Sequence, residues 1–101
     1  METIIMNLII HSGEARSFSM EAMKLAKNGQ IEAARDLIEK ASEELSNAHA
    51  SQTQLIQGEA GGNKTEVSLL LVHAQDHLMT SMTLKDLAQE IIDIHEKLQE
   101  K

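Results

Sequence analysis

Three side chains able to do chemistry, His73, Asp76 and His77, fall inside LLLVHAQDHLMTSM, the stretch from Leu69 to Met82. The stretch is otherwise among the most apolar of the chain. A neutral imidazole carries a free lone pair near neutral pH and can act as a nucleophile. A carboxylate suits hard cations. His73 stands three residues before Asp76 and four before His77, so a helix would place all three side by side on one surface. Burying such groups is costly unless they are paired, bound to metal or used.

Four readings of the cluster are open on these residues alone. The groups are satisfied by one another and by backbone; or they bind metal; or His73 forms a covalent intermediate; or they are incidental to a helical assembly module. His-x-x-x-His is a ligand pair on a helix, with Asp76 able to complete the set. However, HAQDH lacks the glutamate base of a zinc hydrolase motif. If Asp76 lines a symmetry axis, its copies meet there and cannot all stay ionised without a proton or a cation such as Mg²⁺ between them. Phosphohistidine is the covalent form that needs least machinery. The chain has no Walker-type lysine or glycine-rich phosphate loop, so the donor would be another phosphoprotein.

The elements that must position these residues are helices. The 101 residues contain no proline, cysteine, tryptophan or tyrosine, and Phe18 is the one aromatic. Such a chain is poor in strand formers and free of the strongest helix breaker, which argues for an all-α domain. Without cysteine there is no disulfide or thiolate chemistry, as suits a reducing cytosol. METIIMNLIIHSG has no basic start and only a short apolar run, so it does not read as a signal peptide, and no stretch is long enough to span a membrane. The net charge of −7, from 16 acids against 9 bases, argues against nucleic-acid binding and suits a basic partner.

Two breaks divide the chain. Asn28-Gly29 is a helix stop, and the stretch from Gly58 to Lys64 reads as a loop. GEAGGN within it lacks the lysine and strand of a phosphate loop. The first helix is expected from Glu2 to Lys27, with Ile4, Leu8, His11, Ala15, Phe18, Ala22, Leu25 and Ala26 buried. Its stripe keeps phase across Gly13, which costs about 1 kcal/mol without ending the helix. The second is expected from Gln30 to Gln57, with Ile31, Ala34, Leu37, Ile38, Ala41, Leu45, Ala48, Leu55 and Ile56 inward and Gln52 loosening the packing. The third is expected from Thr65, as N-cap, to Leu98, on the order of 50 Å long. It is apolar nearly all round: Val67, Leu71, Ala74 and Leu78 make one stripe, and Leu69, Leu87 and Ile94 a second. His73, Asp76 and Thr80 share the second. Two helices of its own chain cannot cover both stripes, so a homo-oligomer is expected. His11 is expected as a core residue, and His49 and His95 as partly exposed.

HSGEARSFSMEAMKLAKNG, SNAHASQTQLIQGEAGG and SLLLVHAQDHLMTSMTLKDLAQEII, in that order and spacing, resemble the lactose/cellobiose class of enzyme IIA. These are phosphocarriers of the bacterial phosphoenolpyruvate-dependent sugar phosphotransferase system. The resemblance covers nearly the whole chain, with VHAQDHLM its most specific part. It implies three antiparallel helices assembled as a homotrimer. It implies that His73 is phosphorylated, that His77 supports the phosphorylated ring, and that three copies of Asp76 hold one metal ion, Mg²⁺, at the axis. The general histidine-containing phosphocarrier protein would be the donor and a cysteine of the cognate enzyme IIB the acceptor. The relay would serve uptake of a β-linked disaccharide by a membrane permease, from the cytoplasmic side. The chain begins close to its first helix, so no longer N-terminal extension is expected. Leu69, Met79 and Met82 would either flank a docking groove or belong to the core. The alternative function is a metal-stapled trimer acting as a scaffold or regulator.

Overall fold

The structure, a computed structural model, describes residues 2–100. It consists of α1 (Glu2–Lys27), α2 (Ile31–Ala60) and α3 (Leu69–Gln99). No strand occurs among the described residues. With no proline to remove a backbone donor, the helices run unbroken for 26, 30 and 31 residues. They form a rod of 56 × 19 × 17 Å.

Cross-links between helices give the topology. His11 of α1 pairs with Glu44 of α2. Arg35 of α2 reaches Asp93 and Glu96 of α3 at 3.0 and 2.9 Å. The hydrogen bond to Asp93 is the chief reason the Arg35 guanidinium is held above its ordinary pKa. The Gln99 side chain donates to the Gly29 carbonyl at 2.9 Å, which places the end of α3 at the α1–α2 turn. α2 therefore runs antiparallel to both neighbours, and α1 and α3 run parallel.

The core follows a seven-residue repeat. Ile5, Leu8, Ser12, Ala15, Ser19, Ala22 and Ala26 are buried on α1, and Ile31, Ala34, Ile38, Ala41, Leu45 and Ala48 on α2. These steps of three and four are the coiled-coil seam, and the small residues let the helix axes approach closely. On α3 the seam reads Leu71, Ala74, Leu78, Ser81, then Ala88 and Ile92. Lys85 takes the missing place, with its amino group 2.9 Å from Asp86. Near that level the core divides. One cluster gathers Ile5, Leu8, Leu45, Leu71 and Leu78, and the other gathers Ala22, Ile31, Ile38, Ala88 and Ile92.

The seam shifts the buried face of α1 from the expected one. Ser12 and Ser19 are inside, whereas His11, Phe18 and Leu25 are half-buried at its margin. Ser19 tolerates this because its hydroxyl donates to the Ala15 carbonyl at 2.8 Å. Helix boundaries also differ. α2 continues through Gly58 to Ala60 before Gly61 ends it, and Ile56 is exposed. α3 begins at Leu69, not near Thr65, because Ser68 caps it: its hydroxyl accepts from the Leu71 N–H at 3.1 Å. Val67 consequently lies outside the helix and exposed.

The α1–α2 turn depends on one glycine. Gly29 sits at φ +87°, and a Cβ there would lie 3.1 Å from the Gln99 amide nitrogen. Gly29→Ala is expected to cost about 1–2 kcal/mol, from the left-handed backbone alone. Urea unfolding measures it, and an unchanged midpoint would show that the turn relaxes without loss.

Candidate functional site

Because Leu71, Ala74 and Leu78 pack inward, the opposite side of α3 faces out. Along it lie Leu69, His73, Asp76, Thr80, Leu87 and Ile94, all exposed. Leu69 is 87% exposed, Leu87 55% and Ile94 57%. Side chains this apolar, spread along one face over about seven turns, make a surface suited to contact with another protein. The cluster is thus not buried within the single chain. Its cost, as judged from the sequence, is avoided by facing outward.

His73 and His77 come together, as their spacing predicts. Their rings are 7° from parallel with centroids 5.9 Å apart. His73 is exposed on an open apolar surface that it forms with Leu69 and Leu70. His77 is half-buried and leans toward α1, where its Nε2 atom faces Gly13. Asp76 is exposed and turned ~60° from His73 around the helix, toward the middle of the apolar stripe. Among the described residues, no three histidine, cysteine or acidic side chains of one chain converge to hold a metal.

The helix around the cluster is held from behind. The Gln52 side chain of α2 donates to Gln75 of α3 at 2.6 Å, and its amide lies 3.7 Å from the Met79 sulfur. Gln52 is therefore a cross-link, not the loose point expected in α2. Thr80 donates to the Asp76 carbonyl at 2.9 Å, and Thr83 to the Met79 carbonyl at 3.2 Å, so both hydroxyls are satisfied without a partner. Met79 is exposed beside the site, whereas Met82 packs against the core. His11, half-buried, is satisfied by Glu44. His49, on α2, is exposed, and His95, eighteen residues beyond His77 on α3, is half-buried.

Gln75 and Gly13 are the neighbours of the site that the sequence did not single out. Gln75 stands within HAQDH, but its partner Gln52 lies on a different helix. Gly13 signalled itself only as a weak spot in a helix.

The chain matches the family model described as the lactose/cellobiose-specific IIA subunit of the phosphotransferase system over residues 3–96. It is 58% identical to the lichenan-specific phosphotransferase enzyme IIA component of Bacillus subtilis (strain 168), over 99% of this chain and 91% of that one. The crystal structure of the cellobiose-specific enzyme IIA from Bacillus anthracis superposes with a TM-score of 0.96 at 53% identity, covering 99% of this chain and 92% of that chain. The solution structure of the chitobiose-specific IIA–HPr complex of Escherichia coli gives a TM-score of 0.83 at 50% identity, covering 97% and 95%. The three-helix fold, the outward VHAQDH cluster and these matches agree: the chain belongs to the lactose/cellobiose-specific IIA family and is a phosphotransferase component.

Proposed function

We propose that His73 is the phosphoryl carrier of this IIA component, receiving the group from the general histidine-containing phosphocarrier protein and passing it to a cysteine of enzyme IIB. The observation that carries this reading is the placement of His73: exposed, on an open apolar surface with Leu69 and Leu70, with the parallel ring of His77 beside it. A carrier must be reached by two proteins in turn, and this ring is open to both. The related IIA in complex with HPr supports the donor.

The neutral His73 ring attacks phosphorus in line with one nitrogen lone pair. The P–N bond of the donor breaks and its imidazole, protonated on the other ring nitrogen, leaves as the neutral base, while His73 keeps the proton on its own second nitrogen. In the second transfer a thiolate of enzyme IIB attacks, the P–N bond on His73 breaks, and neutral imidazole is restored. Positioning and charge neutralisation supply most of the acceleration in such displacements. His77 donates a hydrogen bond to a phosphoryl oxygen. The sugar is a β-linked disaccharide, as cellobiose and chitobiose are, and the relay delivers phosphate to it at the membrane permease from the cytoplasmic side.

The apolar face of α3 meets two further copies of itself in a homotrimer. Asp76 then faces the threefold axis, where three carboxylates suit a hard cation such as Mg²⁺, which would neutralise their repulsion. Asp76→Leu is expected to leave a trimer that no longer responds to chelators, read by sedimentation with and without EDTA. Dissociation of this variant into stable monomers would sink the axial-cation idea.

The relay is tested by intact mass after incubation with phosphoenolpyruvate, enzyme I and the general phosphocarrier. One acid-labile phosphoryl group per chain is expected. No mass change with active donors would favour a metal-stapled scaffold instead.

A further inference from the structure

Gly13 sits in the middle of a 26-residue helix, where glycine is the weakest former after proline. Its backbone does not require glycine: among the described residues, positive φ occurs only at Gly29 and Gly62. Close helix packing does not require it either. A Cβ built at position 13 meets one heavy atom within 4 Å, Nε2 of His77, at 3.6 Å. That is ordinary contact, so alanine fits. What a methyl group would change is the surroundings of that one nitrogen. It would stand 3.6 Å from that nitrogen, on the side that faces α1.

His77 stands parallel to His73 on the same side of α3. A ring nitrogen can assist a neighbouring phosphoryl group only while it is uncovered and free to hydrogen-bond. We infer that Gly13 is a positioning residue for phosphoryl transfer, a notch in α1 that keeps Nε2 of His77 open to a phosphoryl oxygen carried on His73. The helix gives up intrinsic stability at this point to keep the notch. The inference rests on the carrier reading of His73, and the experiment separates the two.

The test is single-turnover phosphorylation of the full chain by the phosphorylated general phosphocarrier, across a range of donor concentrations. Wild type, Gly13→Ala and Gly13→Val are compared, each with and without His77→Ala. Imidazole nitrogen spectra of His77 and thermal melting are recorded in parallel. Gly13→Ala is expected to melt at or above wild type, because alanine is the better helix former. Its rate at saturating donor falls about tenfold, in the range that small misplacements of reacting groups produce. Gly13→Val loses more, and the Nε2 resonance of His77 shifts in both. In the His77→Ala background, Gly13→Ala has no further effect on rate, since the two act as one unit.

An unchanged saturating rate overturns the inference. So does a change confined to the donor concentration at half-saturation, which would give Gly13 to docking. An equal loss with and without His77 also overturns it. Failure of the carrier reading is recognised separately, because wild type would then take no phosphate on His73.

Discussion

Replacing His73 by glutamine is expected to abolish the proposed phosphoryl transfer by this chain and to leave its fold intact. Glutamine keeps a polar side chain at the position, but an amide nitrogen has no lone pair available for attack on phosphorus. A nucleophile that forms the covalent intermediate cannot be bypassed, so the loss exceeds about 10³-fold. Stability is spared because His73 is exposed on the side of α3 opposite Leu71, Ala74 and Leu78. Surface changes of this kind stay within about 0.5 kcal/mol. Intact mass with active donors and a thermal melt read the two effects together. An acid-labile phosphate still acquired by the glutamine variant would move the carrier to another histidine. His77 would be the first to examine, as the nearest ring.

The second large effect is on assembly. Glutamates at Leu87 and Ile94 together are expected to dissociate the proposed trimer into folded monomers. Both side chains are more than half exposed in the single chain and lie along the face that also carries Asp76. Each, once covered, contributes about 1.5–3 kcal/mol of apolar burial, and three copies of each are lost at once. Replacing them also brings six carboxylates together near one axis, where like charges cannot all stay ionised without cost. The monomer keeps its helices, because the inward seam of Ala88 and Ile92 is untouched. Sedimentation at micromolar concentration should give one third of the wild-type mass. An unaltered mass would mean that copies of this chain do not meet through this face.

Much of this architecture is legible in residue spacing. Asn28-Gly29 marks the first turn correctly, and the second apolar stripe of α3 is visible because Leu69, Leu87 and Ile94 cannot share a side with Leu71 and Leu78. The neighbourhood of His73 and His77 follows from a separation of four alone. Other features depend on which helix lies across the groove. Ser12 and Ser19 are polar in sequence, yet the seven-residue seam takes them inward and leaves Phe18 at the margin. Gln52 is a break in an apolar stripe until Gln75 is seen opposite. Thr65 reads as the cap in the sequence, and only the bond from the Leu71 N–H to the Ser68 hydroxyl moves the start of α3 to Leu69. Gly13 gains its meaning from the parallel register of α1 and α3, which no local pattern encodes.

The division of the core near Lys85 has a bearing on how a relay protein handles two visitors. One half of the rod contains the VHAQDH cluster and its own apolar cluster, Leu8, Leu71 and Leu78 among it. The far half has a separate cluster, reinforced by Arg35 with Asp93 and Glu96 and by the Gln99 clasp on Gly29. The rod therefore works like a tool with a head and a handle. The handle fastens the ends of the three helices in register, and the head presents the histidine pair on its outer face.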